Sequence, residues 1–487
     1  MTVPSAPGAP VAPEAIGADI LDALRDIVGP ANLLTAPAET EPYCVSWGRL
    51  WRGAAAAVAL PGSTEELAAV VHICAAARVP MVPQGGNTAL TGSSTPRPQR
   101  GELVVSLRRL RRIRDVDPVN DTITVDAGVI LADAQDAAER VNRMLPISLA
   151  AEGSCQIGGL VSTNAGGTQV LRYGNMRQLV LGLKVVLPDG RILPALRGLR
   201  KDSAGYDLKQ LFIGAEGTLG FATAAVLRLV AQPVEREAAF VSLGDIQAAC
   251  ALLGFLRERL GEHISAFELI RDIGVEITLA AAPALRAPLP PGAPWYALVE
   301  LSGQTPGALL PALEDALATA LDKAFIIDAA IAKNEEERHG FWRLRERISE
   351  EQGHAGPGVK HDISVPISQL AVFVDTADAR LDAIYPGIRL LAFGHLGDGN
   401  LHYNPIMPVG WSKDDTERAR PEVNRIVHEA VMACGGSITA EHGIGQLRVQ
   451  ELPRYRSPVE IAVMRQLKAA IDPLGLMNPG KVLDDGA

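Results

Sequence analysis

Residues 83–94 have the sequence PQGGNTALTGSS and follow a short apolar segment, residues 79–82, that is typical of a strand. Paired glycines directly after a strand allow backbone N–H groups to approach a diphosphate, and the hydroxyls of Thr88, Ser93 and Ser94 add donors. Pro96 and Pro98 stand where the helix of a Rossmann fingerprint would begin, and the ending of a Walker A loop is missing. A surface loop without a ligand is the competing interpretation.

Two further glycine-rich segments follow, residues 152–168 (EGSCQIGGLVSTNAGGT) and residues 213–220 (IGAEGTLG). The first contains five glycines in an apolar context. Because glycine lets a backbone approach another group without a Cβ in between, this pattern indicates contact with something flat or large.

Strand-like and helical patterns alternate around these loops. Helical patterns cover residues 16–28 and 131–143, and Ser63 with Glu66 has the spacing of a capping box. The sequences VVSL, TITVDAGV and ATAAVLRLV predict strands, and Asp-Gly in LVLGLKVVLPDGRIL predicts a hairpin turn.

The three loops, in this order and spacing, resemble the FAD-binding domain of the vanillyl-alcohol-oxidase and p-cresol-methylhydroxylase family. The resemblance implies that the first loop cradles the pyrophosphate, the second runs beside the isoalloxazine ring and the third helps complete the pocket. Many members attach the flavin through a His after the paired glycines, whereas this sequence has Asn87, which predicts non-covalent FAD. The cofactor-binding residues so implied, including one from the final NPGKV segment, are Pro83, Gln84, Gly85, Gly86, Asn87, Thr88, Gly92, Ser93, Glu152, Gly153, Gly158, Gly159, Thr163, Asn164, Gly166, Gly167, Gly214, Glu216, Gly217, Gly220 and Asn478.

Residues 394–402, GHLGDGNLH, predict a β-hairpin with Asp-Gly as a two-residue type I′ turn. That turn would pair His395 with His402 on one face, with Cβ atoms roughly 4.5–5.5 Å apart, within reach of one metal ion. Asn404, two residues further on, would point to the same face. A polar hairpin with two surface histidines is the alternative.

A helical segment with the sequence FWRLRERIS places Arg345 and Ser349 four residues apart, on one face, and Lys360 follows. An arginine fork suits a carboxylate, and a lysine adds a point charge. A salt-bridged exposed helix would have the same composition.

Trp-x-Leu-Arg-Glu, Lys-x-Asp and His-x-Gly-Asp-Gly-Asn-x-His, in this order, are similar to FAD-linked D-2-hydroxyacid dehydrogenases, whose members act on D-2-hydroxyglutarate or D-lactate. The resemblance implies that Arg345, Ser349 and Lys360 bind the substrate carboxylate, and we expect Asn404 to add a hydrogen bond. Ser349 stands where Thr is also found, and His361 stands where Tyr is common.

Residues 437–445, SITAEHGIG, predict a short strand that leads into a glycine turn. Glu441 and His442 would point in opposite directions if the chain is extended. The resemblance implies that Glu441 joins His395 and His402 as metal ligands and that His442 is the catalytic base. Two imidazoles and one carboxylate leave coordination positions open, as in catalytic sites. Iron(II) or manganese would also fit, but Zn²⁺ is the simpler choice because the flavin accepts the electrons.

The composition agrees with a soluble globular protein: 487 residues, 47% hydrophobic and 21% charged. A net charge of −10 argues against a nucleic-acid partner. Five dispersed cysteines without CxxC indicate a reducing compartment and buried thiols. No apolar run approaches the roughly 20 residues of a membrane span. Residues 1–15 predict a disordered tail rather than a signal peptide, and we expect a cytoplasmic location.

The predicted fold is α+β, with a boundary at Gln232-Pro233. We expect an N-terminal tail and helix (1–52), a two-part FAD-binding domain (53–232), an antiparallel-sheet substrate or cap domain (233–435), and a C-terminal segment that returns to the flavin (436–487).

The predicted reaction is FAD- and zinc-dependent oxidation of a D-2-hydroxy acid to the 2-oxo acid by hydride transfer to flavin N5. Two cationic groups, Arg345 and Lys360, favour the dicarboxylate D-2-hydroxyglutarate over D-lactate. An oxygen-using 2-hydroxyacid oxidase and a non-catalytic flavoprotein electron carrier are the alternatives. Family analogy suggests an electron-transfer flavoprotein, a quinone or a cytochrome as electron acceptor, and a homodimer.

Overall fold

The computed structural model describes residues 15–98 and 101–484, so the predicted tail lies outside the described residues except for Ala15. The chain divides into two compact units. The first unit contains the described residues of 15–166, Gly174–Gln232 and 441–484, and the second contains Gly167–Tyr173 and Pro233–Ala440. The four-part domain division stays a prediction.

The strands of the described chain are β1 (Leu33–Leu34), β2 (Ala57–Ala59), β3 (Met81–Gln84), β4 (Leu103–Ser106), β5 (Ile113–Asp117), β6 (Thr122–Asp126), β7 (Arg143–Met144), β8 (Val180–Val186), β9 (Ile192–Ala195), β10 (Phe221–Arg228), β11 (Val230–Ala231), β12 (Glu235–Leu243), β13 (Ile264–Arg271), β14 (Trp295–Gly303), β15 (Asp328–Ile331), β16 (Asp362–Ser364), β17 (Arg389–His395) and β18 (Asn400–Ile406).

The α-helices of the described chain are α1 (Ala18–Val28), α2 (Pro37–Cys44), α3 (Thr64–Ala77), α4 (Leu131–Glu139), α5 (Ile157–Thr163), α6 (Val170–Tyr173), α7 (Met176–Leu179), α8 (Ile246–Leu260), α9 (Asp272–Ala281), α10 (Leu309–Asp322), α11 (Glu335–Glu351), α12 (Leu370–Ile384), α13 (Lys413–Ala433), α14 (Leu452–Tyr455) and α15 (Pro458–Ile471). Among them, no helix is both long and apolar enough to cross a bilayer.

The first unit is built on two main sheets. One has the order β1-β2-β4-β3, with β2, β4 and β3 parallel, and helices α1 and α3 pack their apolar faces on it. The other is antiparallel, with the order β5-β6-β10-β8-β9, and α4 and α5 share its core. The first glycine-rich loop follows β3, the second glycine-rich segment contains α5, and the third precedes β10.

The second unit is a seven-stranded antiparallel sheet with the order β15-β12-β14-β13-β17-β18-β16. Its strands alternate between two cores, because successive side chains point to opposite faces. Ala239 and Val241 pack in a core with α8, α10, α12 and α13, whereas Ala238 and Phe240 pack in a core with α9 and α11. Helices therefore cover both faces, and the predicted α+β class with an antiparallel sheet is confirmed.

The predicted helix cap at Ser63 is confirmed, whereas a helix end and a strand need correction. The Ser63 hydroxyl caps α3 by accepting the backbone N–H of Glu66 at 3.0 Å. The helix predicted to reach residue 143 ends at Glu139, and β7 pairs instead with β11. The strand predicted at residue 437 is wrong, because Ser437 makes an isolated bridge to Ser364 and the chain then bends.

The predicted register of the hairpin is also wrong. β17 and β18 pair Phe393 with His402, and a 3-10 turn over Leu396–Asp398 precedes Gly399 at φ 82°. A Cβ on Gly399 would lie 2.2 Å from the backbone oxygen of Val365. This close approach to a distant segment helps to define a connection longer than the local Asp-Gly pattern indicates. The two histidines still share a face, because the register differs by two residues.

Candidate active site

The three glycine-rich loops converge within the first unit. A Cβ on Gly86 would lie 2.1 Å from the Ser154 backbone oxygen, so the first loop touches the second. A Cβ on Gly217 would lie 2.8 Å from Pro83, so the third loop touches the first. These distances exclude any side chain at the two glycines without movement of the loops. The structure therefore brings the second and the third loop into contact with the first.

Four of the predicted cofactor residues other than glycine have left-handed backbone conformations, namely Asn87 (φ 55°), Asn164 (φ 52°), Glu216 (φ 50°) and Asn478 (φ 44°). Asparagine tolerates this region better than other residues with a Cβ, but glutamate does not share that preference. Backbone strain of this kind concentrates at ligand-binding sites, where the surrounding structure compensates for it.

The residues of these loops fit FAD. No described heavy atom lies within 4 Å of the Cβ positions of Gly153 and Gly159, so the backbone there is open to a flat group. The side-chain oxygens of Gln156 (Oε1) and Asn478 (Oδ1) are buried and accept no hydrogen bond from the described residues. Buried acceptors of this kind require a partner, and FAD has N–H and O–H donors to supply.

Other predicted cofactor side chains hold the loops in shape. Asn87 donates from Nδ2 to the Val45 carbonyl at 2.7 Å and accepts from the Ser94 hydroxyl at 3.0 Å. Thr163 donates to the carbonyl four residues before it, and Glu152 accepts a backbone N–H of its own loop. These residues contribute to the site through loop geometry.

Glu216 holds the glycine turn that carries Glu441 and His442. Its two carboxylate oxygens accept the backbone N–H groups of Ile444 and Gly445 at 2.7 and 2.8 Å. Burial raises the pKa of the Glu216 carboxyl to about 7, although these two hydrogen bonds act in the opposite direction. The Thr91 hydroxyl donates to the His442 carbonyl at 3.2 Å and holds the same turn.

The side chains of Glu441 and His442 converge. His442 Nε2 lies 3.6 Å from Glu441 Oε1, so the expectation that they point in opposite directions is wrong. The physical reason is that the chain is bent rather than extended here, and Gly443 follows at φ 81°. Both groups thus face one region, as a base beside a carboxylate would.

Polar side chains form a patch on the α11 face of the sheet in the second unit. Glu268 of β13 lies directly opposite His395 of β17. In the next row, His402 of β18 lies between Phe393 of β17 and Asp362 of β16. The two imidazole centroids are 5.9 Å apart. We call Glu268, Asp362, His395 and His402 the polar patch.

Each histidine of the polar patch has a carboxylate beside its Nδ1. His395 donates from Nδ1 to Glu268 Oε1 at 2.7 Å, and His402 Nδ1 lies 3.8 Å from Asp362 Oδ1. Metal-binding histidines in proteins carry such carboxylate partners, which select the nitrogen that coordinates. The donor set therefore fits a metal ion.

Arg345 of α11 lies against the polar patch. Its Nε donates to Glu268 Oε2 at 2.9 Å, and its guanidinium carbon lies 4.8 Å from the centre of the Phe393 ring. The terminal nitrogens make no hydrogen bond to the described residues, although the residue is buried. A buried guanidinium with two available nitrogens is suited to a carboxylate ligand.

The other predicted substrate residues differ in exposure. Ser349 is exposed one turn after Arg345. Lys360 is exposed as a whole residue, and partial desolvation of its ammonium group lowers its pKa. Asn404 is buried, and its amide binds His361 N–H and Gln352 Oε1, both at 2.9 Å. Because an amide oxygen and an amide nitrogen can each make a second hydrogen bond, Asn404 retains capacity for a ligand.

Sequence reasoning missed the roles of Glu268 and Asp362. Glu268 is the single charged residue within the apolar run ISAFELI of β13, a pattern that could have indicated a partnered buried carboxylate. In the sequence, Asp362 stands out only as part of the Lys-x-Asp motif. Its carboxylate accepts from Asn400 Nδ2 at 2.9 Å and from the Ala440 N–H at 3.2 Å, and Glu441 follows Ala440 in the chain.

Two family models match the chain. The model for FAD linked oxidases, C-terminal domain, matches residues 232–482, and the model for an FAD binding domain matches residues 55–195. Together they include the first two glycine-rich loops, the polar patch and the turn with Glu441 and His442, whereas the third loop, residues 213–220, lies between the two matches.

Relatives match over nearly the whole chain. A D-2-hydroxyglutarate dehydrogenase from Xanthomonas citri pv. viticola is 38% identical, over 95% of this chain and 96% of the relative. A mitochondrial D-2-hydroxyglutarate dehydrogenase from Bos taurus is 37% identical, over 96% of this chain and 84% of the relative. The crystal structure of p-cresol methylhydroxylase with bound substrate has the same fold, with a TM-score of 0.73, 17% identity, and coverage of 97% of this chain and 99% of that one.

Proposed function

The chain belongs to the FAD-linked oxidases and is an FAD-dependent oxidoreductase, and on this premise we propose that it oxidises D-2-hydroxyglutarate to the 2-oxo acid. The family resemblance carried by the three glycine-rich loops is confirmed. The names of the relatives support a D-2-hydroxy acid as the substrate class. D-lactate is the second substrate candidate, since its single carboxylate could bind both Arg345 and Lys360.

The observation that carries the proposal is the polar patch with Arg345 beside it. Oxidation of a 2-hydroxy acid needs a cationic group for the carboxylate and an electrophile for the neighbouring hydroxyl. Arg345 and His395 both bind the carboxylate of Glu268, one at each oxygen. The cationic group and the proposed metal ligand are therefore separated by about the width of that carboxylate. A pure electron carrier would have no need for this arrangement.

Substrate binding in this proposal rests on Arg345, Ser349, Lys360 and Asn404. The two terminal nitrogens of Arg345 form a fork that matches one carboxylate in two parallel hydrogen bonds. Lys360 supplies a second positive charge, and the pKa of its ammonium group is lowered because burial removes part of its hydration. A dicarboxylate would engage both charges, and Asn404 would add a hydrogen bond.

His395, His402 and Glu441 would hold the metal, with Zn²⁺ as the ion proposed. Because Nδ1 of His395 is engaged by Glu268, its coordinating atom would be Nε2. Bound FAD supplies the hydride acceptor, and a bound metal supplies Lewis acidity toward the 2-hydroxyl. FAD would be bound non-covalently, since Asn87 stands where a covalently attaching His would be.

His442 is the proposed base that takes the proton of the substrate hydroxyl. Its Nε2 lies 3.6 Å from Glu441 Oε1, and a carboxylate at that distance stabilises the imidazolium that forms. The hydroxyl loses its proton to His442 while the C2 hydrogen leaves with its electron pair. Arg345 and Lys360 meanwhile neutralise the carboxylate, which would otherwise oppose the approach of further negative charge.

Anaerobic reduction of the flavin tests the proposed reaction. The purified holoprotein is mixed without oxygen with D-2-hydroxyglutarate, D-lactate, D-malate and their L-enantiomers. D-2-hydroxyglutarate should bleach the flavin fastest, and the L-acids should not react. No bleaching with any D-2-hydroxy acid would contradict the proposal and favour an electron carrier, and rapid reoxidation with peroxide formation in air would indicate an oxidase.

The partner and location remain part of the proposal. We propose that reduced flavin passes its electrons to an electron-transfer flavoprotein, a quinone or a cytochrome, and that the protein is a cytoplasmic homodimer. Turnover with each acceptor, compared with turnover in air, tests the first point. Light scattering of the holoprotein tests whether it is a dimer, and a monomer at all concentrations would contradict the proposed homodimer.

A further inference from the structure

Glu268 is a buried carboxylate that the proposed reaction leaves unassigned. It lies on β13, its side chain is 1% exposed, and its neighbours in the strand, Phe267 and Leu269, belong to the core on the opposite face. A charged group is expensive to bury unless partners compensate for the lost hydration. Glu268 therefore has to be explained by its contacts.

The two carboxylate oxygens of Glu268 have different partners. Oε1 accepts from His395 Nδ1 at 2.7 Å, and Oε2 accepts from Arg345 Nε at 2.9 Å. Burial alone would raise the pKa of this carboxyl, but the charges of His395 and Arg345, with their hydrogen bonds, lower it to about 2. Both carboxylate oxygens of Glu268 thus accept a hydrogen bond.

Each contact determines which atoms its partner can still use. A histidine that donates from Nδ1 to a carboxylate can bind a metal only through Nε2. An arginine that donates from Nε to one carboxylate can bind a second carboxylate only through its terminal nitrogens. The ring of Phe393 covers one face of the same guanidinium, which further limits its orientation.

We propose that Glu268 is a positioning residue that selects Nε2 of His395 for the metal and turns the terminal nitrogens of Arg345 toward the substrate carboxylate. The proposal rests on the proposed function for the roles of His395 and Arg345. It adds that one side chain sets the geometry of both, so that a single substitution affects metal affinity and substrate binding together.

Glu268→Gln is the informative variant. Glutamine has one oxygen and one NH₂ group in place of two acceptors, so either His395 Nδ1 or Arg345 Nε faces a donor. If Nδ1 of His395 accepts a hydrogen bond from that NH₂ group, the ring proton moves to Nε2. A protonated Nε2 cannot coordinate the metal. Loss of a carboxylate partner typically lowers metal affinity by about 10- to 100-fold.

Glu300→Gln is the matched control. Glu300 lies on β14, is buried, and binds Arg338 and Trp342 of the same helix, α11, but touches no proposed metal ligand. The control thus removes one buried carboxylate–arginine pair between the same sheet and the same helix. Any general effect on packing should appear in both variants.

Zinc affinity of the FAD-loaded protein is measured by competition with a chromophoric chelator, with zinc alone as the probe. Glu268→Gln should bind zinc about 10- to 100-fold more weakly and show a higher KM for D-2-hydroxyglutarate. Glu300→Gln should bind zinc as the wild type does. Wild-type zinc affinity in Glu268→Gln would overturn the proposal, and so would a wild type that binds no zinc.

The tautomer of His395 keeps the proposal testable if Glu268→Gln does not fold. In ¹⁵N-histidine spectra of the wild type, the His395 signals are assigned by their loss in His395→Gln. A proton on Nδ1 supports the proposal, and a neutral ring protonated on Nε2 overturns it. Failure of the flavin to bleach with hydroxy acids, together with zinc binding that depends on Glu268, would contradict the proposed function and leave this inference standing.

Discussion

At the scale of single residues, the nitrogens of Arg345 are divided between two tasks. Nε binds the protein through Glu268, and the terminal pair remains for a ligand. Lysine at this position would keep the charge but has only one nitrogen, so it cannot bind Glu268 and a substrate carboxylate in the same geometry.

Arg345→Lys should therefore raise KM for the hydroxy acid and lower kcat/KM by about 10- to 100-fold, because a charge-assisted hydrogen bond is lost. Steady-state kinetics with an artificial electron acceptor measure the change. Arg343→Lys, two residues earlier on an exposed position of α11, is the control and should behave as the wild type. Equal kinetics for both variants would remove Arg345 from the site.

His442 is the second residue whose chemistry can be tested alone. His442→Asn removes the group that accepts the hydroxyl proton, so flavin reduction should slow by about 10²- to 10⁴-fold. Zinc and flavin contents should not change. Anaerobic stopped-flow mixing measures the step directly, with His339→Asn, an exposed histidine of α11, as control. Fast reduction in His442→Asn would mean that another group is the base.

At the scale of elements, the cofactor loops depend on close approach of backbones. A Cβ on Gly86 would lie 2.1 Å from the Ser154 oxygen, so Gly86→Ala must separate the first loop from the second. We expect a loss of stability of roughly 1–3 kcal/mol and a lower flavin content. The ratio of flavin to protein absorbance and the melting temperature measure both effects.

The control for Gly86→Ala is Gly254→Ala in α8. No described heavy atom surrounds its Cβ position within 4 Å, and alanine in a helix interior is more stable than glycine by roughly 0.5–1 kcal/mol. Flavin content should therefore stay constant. Full flavin content in Gly86→Ala would show that the loops can move apart without loss of the cofactor.

Glu216 holds the glycine turn that carries Glu441 and His442, and its contribution to stability depends on pH. Burial raises the pKa of its carboxyl from the ordinary 4.5 to about 7 in the folded state, so the folded protein retains a proton that the unfolded chain releases. The resulting stability is complete below pH 4.5 and is lost as the pH rises through about 7, by about 3 kcal/mol in total.

Glu216→Gln should remove this slope. Urea unfolding of the holoprotein at intervals from pH 5 to about 8 should show the wild type losing more stability than the variant over that window. Parallel curves for the two proteins would contradict a raised pKa at Glu216. One of the two N–H groups, that of Ile444 or that of Gly445, can still donate to the amide oxygen, which keeps the variant foldable.

At the scale of the whole molecule, the cofactor should come away from the denatured chain. Asn87 offers no imidazole for a covalent bond, and its amide is occupied by Val45 and Ser94. Acid precipitation of the holoprotein should give a colourless pellet and a yellow supernatant. A pellet that stays yellow would mean covalent attachment at another residue.

Local patterns predicted much of this molecule. The helix cap at Ser63, the strands beside the loops and the α+β class follow from spacing and periodicity, which short segments carry by themselves. The hairpin register did not follow, because Gly399 packs against the backbone of Val365, a segment that precedes it by 34 residues (399 − 365). The orientation of Glu441 and His442 did not follow either, since the bend at Gly443 replaces an extended chain.

The amino-acid sequence by itself determined the cofactor class and the chemical groups available, because three glycine-rich loops and a few His, Arg and Glu residues carry that information locally. Only the tertiary structure decided which carboxylate serves which partner. Glu268 and His395 are 127 residues apart, and they meet because β13 and β17 are neighbours in one sheet. Strand order and register depend on the packing of the whole sheet, which no short segment contains.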